Sequence, residues 1–298
     1  MTAPAAPVTR EHSAPVAGAG KARSTRRVIV YALLIGYGLL MLVPFAWSVS
    51  TSFKTLPDVN DMRFIPDPLT FDGWRYAWEA LDPPLPILFL NSVILSVAVM
   101  VSNLVLASIA GYAFARLSFP GREALFIVVL ATLMIPDQLR LVPIYVLFNG
   151  IGLTRGDLQY VAVVLVLAVS ATSVFLMRQA FLSMPRELEE AARIDGAGFF
   201  TTFRKVMLPL AGPALAAVAI LQFQGTWNSF FWPLILMRDR EHWPLPLGLV
   251  QFRLAGGFAT NWPPLMAAVV MATIPIVVLY VFFQRYFVQG VAASGVKG

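Results

Sequence analysis

Reactive side chains are scarce in this sequence. It holds no cysteine, which excludes disulfides, thiol catalysis and thiolate metal sites together. Its two histidines, His12 and His242, lie far apart, so neither belongs to a pair at metal-ligand spacing. There is no GxSxG turn to raise a nucleophilic serine. The nearest approach to a phosphate-binding loop is Gly20-Lys21. There Pro15 stands where the first glycine is required, and Ala22 where a hydroxyl would hold magnesium. The polar groups that remain fall in two settings. Asp137, Gln138 and Arg140, and then Gln222, Gln224, Thr226, Trp227 and Asn228, interrupt otherwise apolar runs. Residues 185–209, PRELEEAARIDGAGFFTTFRKVMLP, form a charged segment between two such runs.

That segment reads as a short helix, a sharp turn and a second helix. Pro185 suits a first helical turn, which Ser183 can cap, and Glu187, Glu189 and Glu190 favour the positive end of the helix dipole. Spacing of three and four places Leu188, Ala191, Ala192 and Asp195 on one face and pairs Glu189 with Arg193 on another. The alanines are small enough to let a foreign surface approach the backbone. Gly196 and Gly198 permit a change of direction before Phe199, Phe200, Phe203 and Val206. A solvated amphipathic connector lying on lipid headgroups would carry similar residues.

The elements that must position these groups are membrane helices. The composition is 58% hydrophobic and 13% charged, with a mean hydropathy of +0.73, far more apolar than a soluble domain. The expected fold class is all-α integral membrane, with six transmembrane helices. Residues 1–27 read as a disordered tail ending in Lys21, Arg23, Arg26 and Arg27. Apolar runs follow at 28–53, 83–115, 124–147, 158–177, 210–237 and 265–284, each long enough to cross a bilayer. The third is the least regular, because Asp137, Gln138 and Arg140 fall inside it and must face protein or water. Asn91, Ser92, Ser96 and Asn103 in the second should face other helices rather than lipid. Residues 54–86, rich in proline and acids, read as an external loop. On this topology the inner segments carry 14 of the 22 Lys and Arg but 6 of the 16 acids. That bias places both termini and residues 185–209 in the cytoplasm. The net charge of +6 is explained the same way, without nucleic acid as a partner.

Glu190-Ala191-Ala192, three residues, Gly196, nine residues, then Val206-Met207-Leu208-Pro209 resembles the EAA loop of inner-membrane permease subunits of binding-protein-dependent ABC importers. The family usually has Ile where Val206 stands. Asn91-Ser92, Tyr112-Ala113, the stretch from Leu117 to Arg122, Met134-Ile135-Pro136, Trp227-Asn228, the stretch from Leu245 to Gly248 and the ending Gly295, Val296, Lys297, Gly298 resemble the carbohydrate-uptake branch, of which the maltose permease small subunit is an example. The resemblance implies the type I importer permease fold over residues 28–287, no catalytic centre and no cofactor in this chain. ATP and Mg would be bound by a partner ATPase dimer. It further implies a second permease of similar fold, an external solute-binding protein, and a sugar, polyol or glycerophosphate as solute. Carried over by the motif, Glu190, Ala191, Ala192, Asp195 and Gly196 would couple to the ATPases, and Gly295, Val296, Lys297 and Gly298, in a cytoplasmic tail at 288–298, would make a second contact. Gln224, Trp227, Asn228, Asp137, Gln138 and Arg140 are candidates for the solute path, since sugar recognition combines hydrogen-bonding groups with an aromatic face. The same groups could instead hydrogen-bond neighbouring helices. Relatives often place an acid after Trp-Asn, where Ser229 stands here. An ion-gradient-driven transporter is the main rival, and it would favour acids or histidines at span centres. A membrane-embedded enzyme or assembly factor would need a catalytic constellation that the sequence does not display.

Overall fold

The structure, a computed structural model, describes residues 19–252 and 260–295, with side chains for 27–252 and 260–283. Among these residues there are helices and loops and no strand. The expected disordered tail lies outside them up to residue 18. From Ala19 the chain is already helical, so Lys21 to Arg27 open helix α1, Ala19–Ser52. The chain divides into two compact units after Trp47. The first contains α1 up to Trp47, and the elements after α1 belong to the second.

Three helices are long and apolar enough to cross a bilayer unbroken: Arg27–Ser52, Leu85–Arg116 and Trp262–Phe283. The count reaches six only when three bent pairs are each taken as one crossing. The sequence implies a continuous fourth span over 158–177, and the structure corrects this with a break at 168–170, whereas the turn at the fifth falls where its apolar run begins. After α2, Asp72–Glu79, and the unbroken α3, Leu85–Arg116, comes the first bent pair: α4, Arg122–Ala131, and α5, Asp137–Gly150, turn through 98°. Pro136 lacks an N–H and pushes Ile135 out of the helical region, to ψ 111°. α6, Leu158–Leu167, and α7, Ala171–Ser183, turn through 51°. Ser170 there is extended and its hydroxyl accepts from Ser173 N at 3.2 Å. The opened backbone is closed by Asn103 of α3, whose amide donates to Leu167 O at 2.7 Å and accepts from Ser170 N at 2.8 Å. α8, Glu187–Ile194, precedes α9, Phe199–Leu210, which contains a π-helical turn at Phe203–Met207. α9 and α10, Gly212–Trp227, turn through 76°, where Pro213 has no N–H to continue the ladder. Short helices α11, Phe231–Leu236, and α12, Leu245–Leu249, lead to α13, Trp262–Gly295. α13 runs past the expected end of the last span at 284.

α3 is the central post, packed against α6, α7, α10 and α12. Its polar groups face inward. Asn91 donates to Glu241 O and Trp243 O and accepts from Tyr160 Oη, and Ser92 Oγ accepts from Leu245 N at 2.7 Å. At Gly111 the approach of α7 is so close that an added Cβ would stand 2.6 Å from Met177 Cβ and 2.8 Å from Arg178 N. The segment between α1 and α3 is folded rather than an open loop. Phe53 packs between Phe71 and Trp74, Lys54 donates to Asp61 O at 2.7 Å, and α2 lies on α3 and α13.

Candidate functional site

The charged segment folds as a helix closed by a glycine turn. α8 begins at Glu187, with Arg186 O accepting from the N–H groups of Glu189 and Glu190. Pro185 and Ser183 lie outside it, and Ser183 Oγ donates to Ala180 O, so the expected serine cap is absent. At the other end Gly196 N donates to Arg193 O and Ala197 N to Ala192 O, with Gly196 at φ +78°. This paired closure is the one that needs a left-handed residue, hence glycine. Gly198, at φ −70°, carries no such demand.

Which residues α8 shows to the outside is decided by its inner anchor. Glu189 turns toward the spans, where its Oε1 accepts from Tyr112 Oη at 2.8 Å and its Oε2 lies 3.8 Å from Arg116 Nη1. The expected Glu189–Arg193 pair is therefore absent among the described residues. The Arg116 and Glu189 side chains are only 6% and 12% exposed. Arg116 Nη2 also donates to Phe181 O and Met184 O, both at 2.6 Å, so it terminates α7 as well. The Tyr112 ring sits among Phe181, Phe199 and Phe203, with centroids 5.0 to 5.3 Å away.

With Glu189 inward, the two alanines part company. Ala192 is buried at 7% against its own chain, while Ala191 is exposed. Glu190, Asp195 and Gly196 are exposed beside it, together with Ile194 at 86% and Phe199 and Phe200 at 52% and 67%. Ile194 was not singled out from the sequence, although an isoleucine in the last turn of a charged helix was the available sign. Tyr112 and Arg116 were also missed as anchors, because at the end of an uncharged run Arg116 reads only as a topology signal.

The solute-path candidates come together only in part. Asp137, Gln138 and Leu141 of α5 face Asn228, Ser229, Phe231 and Trp232 across an open pocket of about 250 Å³. Arg140 pairs with Asp137 along α5 and lies 5.8 Å over the Trp232 ring. Gln224 and Asn228 are exposed one turn apart on α10, and Asn228 Nδ2 donates to Gln224 O. Trp227 departs from the expectation: it is 2% exposed, packed on Phe89 and Phe223, and its Nε1 donates to Ala272 O of α13 at 3.1 Å. Thr226 is likewise buried, and Gln222 donates to Ser173 Oγ at 2.9 Å. Trp227 and Gln222 thus hold helices together. Of the tail candidates, Gly295 ends α13, while Val296, Lys297 and Gly298 lie outside the described residues.

Residues 86–293 match the family described as the binding-protein-dependent transport system inner membrane component. The chain belongs to that family. It is thus a membrane-embedded part of a transport system and not an enzyme, and its all-helical fold is that of type I ABC importer permeases. Among its relatives, the arabinooligosaccharides transport system permease protein AraQ of Halalkalibacterium halodurans is 38% identical over 285 residues, covering 93% of this chain and 99% of that one. The sn-glycerol-3-phosphate transport system permease protein UgpE of Yersinia pestis bv. Antiqua is 33% identical over 270 residues, 88% of this chain and 94% of its own. Among solved structures, a bacterial ABC transporter involved in import of the acidic polysaccharide alginate superposes with a TM-score of 0.74 at 27% identity, covering 89% of this chain and 98% of that one.

Proposed function

We propose that this permease forms one half of the translocation path of a sugar importer. It would receive ATP-driven movement through the exposed face of α8 and bind no nucleotide itself. The observation that carries this reading is the combination of Glu190, Ala191 and Ile194 exposed on a helix whose opposite face is tied into the spans by Glu189. A free face on an anchored helix suits a surface that must be pushed. Glu190, Ala191, Asp195 and Gly196 then form the docking face with Ile194, whereas Ala192 supports it from within. The ATPase dimer would hold ATP and Mg and meet this face in the cytoplasm, where the lysine and arginine bias puts the loop and both termini.

The open pocket beside Asn228 and Gln138 is half a site. A second permease of similar fold would supply the other half, and an external binding protein would deliver the solute. The relatives of higher identity carry oligosaccharide names and those of lower identity a glycerophosphate name, which supports an oligosaccharide as solute. The test is uptake by the complete transporter in vesicles. The expected result is vanadate-sensitive, binding-protein-dependent accumulation of a pentose or hexose oligosaccharide. Uptake driven by an ion gradient with no ATPase present would overturn the reading, and preference for glycerol phosphate would overturn its sugar assignment.

A further inference from the structure

We propose that Tyr112, Arg116 and Glu189 form a buried strap that sets how much of each ATPase stroke becomes transport, apart from the face that docks the ATPase. This rests on the coupling reading above and concerns residues outside its docking face. The strap joins three elements at one point. Glu189 is the contribution of α8, and Tyr112 and Arg116 lie one helical turn apart on α3. The two carbonyls that Arg116 holds belong to the last turn of α7 and the residue after it. α3 and α7 are themselves in backbone contact at Gly111, so the two helices should move as one rigid pair. A displacement of α8 then reaches α3 through a single carboxylate, and α7 through Arg116 as well as through the short connection at 184–186.

Two details argue that this is a transmission and not only a fold contact. A buried ionic group is weak evidence for stability, since apolar side chains of similar volume often replace it without loss. Here its two limbs differ, a hydrogen bond of 2.8 Å to Tyr112 and an ion pair opened to 3.8 Å from Arg116. Arg116 Nε is also buried without a hydrogen-bond partner among the described residues. The guanidinium thus has donor capacity to close on Glu189 when α8 shifts, giving the strap two arrangements, as an element that relays movement requires. A second clasp joins α7 to both α3 and α4, and its Arg178 Nε donates to Phe114 O of α3 at 3.3 Å. Arg178 Nη2 reaches both Glu123 oxygens at 2.9 and 3.0 Å, and its guanidinium lies 4.1 Å over the Phe126 ring.

The test uses the complete transporter in phospholipid vesicles, reading ATP hydrolysis and solute uptake from the same sample. Glu189→Gln keeps an acceptor for Tyr112 but removes the charge, and Tyr112→Phe removes only the hydroxyl. In each, the ATPases are expected to stay bound and hydrolysis to stay within about twofold of wild type, while uptake per ATP falls by about fivefold or more. The double variant is expected to fall no further than the worse single, since both act through one contact. Arg116→Lys, which keeps the cation and loses the fork, should lie between. Unchanged uptake per ATP in both single variants overturns the strap. So does loss of the ATPases from the purified Glu189→Gln complex, which would put Glu189 in the docking surface. A wild-type complex that hydrolyses ATP without any uptake is a different failure, of the transporter reading itself, and is visible before any variant is made.

Discussion

The segment at 185–209 and the pocket beside Asn228 are built by opposite rules. The first buries its ionic anchor and completes it within one chain: Glu189 has Tyr112 and Arg116, and Arg116 has the end of α7. The second leaves its polar groups open, with the Asp137 and Arg140 side chains 57% and 42% exposed and the Asn228 amide, among the described residues, bonded only to the last turn of α10. A part proposed to pass on movement needs defined contacts, which a desolvated cluster with named partners supplies. A part that binds solute and then releases it has to exchange partners, so its groups stay half-solvated until another surface closes over them.

Breaking the first region should do the most damage. Gly196→Pro demands φ near −65° where the chain has +78° and deletes the N–H that closes α8. We expect a local cost of about 3 kcal/mol or more and near-complete loss of uptake at normal membrane abundance. Gly196→Ala should cost about 1 to 2 kcal/mol and leave partial uptake. Next in size, Gly111→Ala forces α3 and α7 apart against Met177 and should lower stability by about 1 to 3 kcal/mol, read as a lower melting temperature of the purified complex.

Two changes on one turn of α10 sharpen the contrast. Trp227→Phe removes the bond to Ala272 O and should cost about 1 kcal/mol of stability with the KM for uptake unchanged. Asn228→Ala should leave stability alone and raise KM by about three- to tenfold, the worth of one hydrogen bond to solute. A raised KM in the tryptophan variant instead would return Trp227 to the path. The smallest effect belongs to Arg140→Gln, which opens a half-exposed pair and should change stability by less than about 1 kcal/mol.

Much of the fold was legible because lipid is an undiscriminating solvent. Any crossing must be apolar and long, so the runs reported crossings without knowledge of packing, while the Lys and Arg bias gave an expectation of orientation. The breaks were less legible. Pro136 and Pro213 mark two of them, but the one between α6 and α7 carries no proline and depends on Asn103, which lies far away in the chain. In α8 the helix, the acids and the glycine closure could be read locally. Its rotation could not, since the stripe through Leu188, Ala191 and Ala192 competes with the pull of Arg116 on Glu189.

By itself, then, the sequence determined that this chain is a helical membrane protein with one charged helix–turn segment, because composition and residue spacing are local properties, and its motifs resembled those of the permease family. Only the tertiary structure decided that Glu189 faces inward and Ala191 outward, that Trp227 belongs to the core, and that Gln138 and Asn228 share a pocket. Each of those depends on which distant group meets which, and burial of a charge or an indole N–H is settled by the partner that satisfies it.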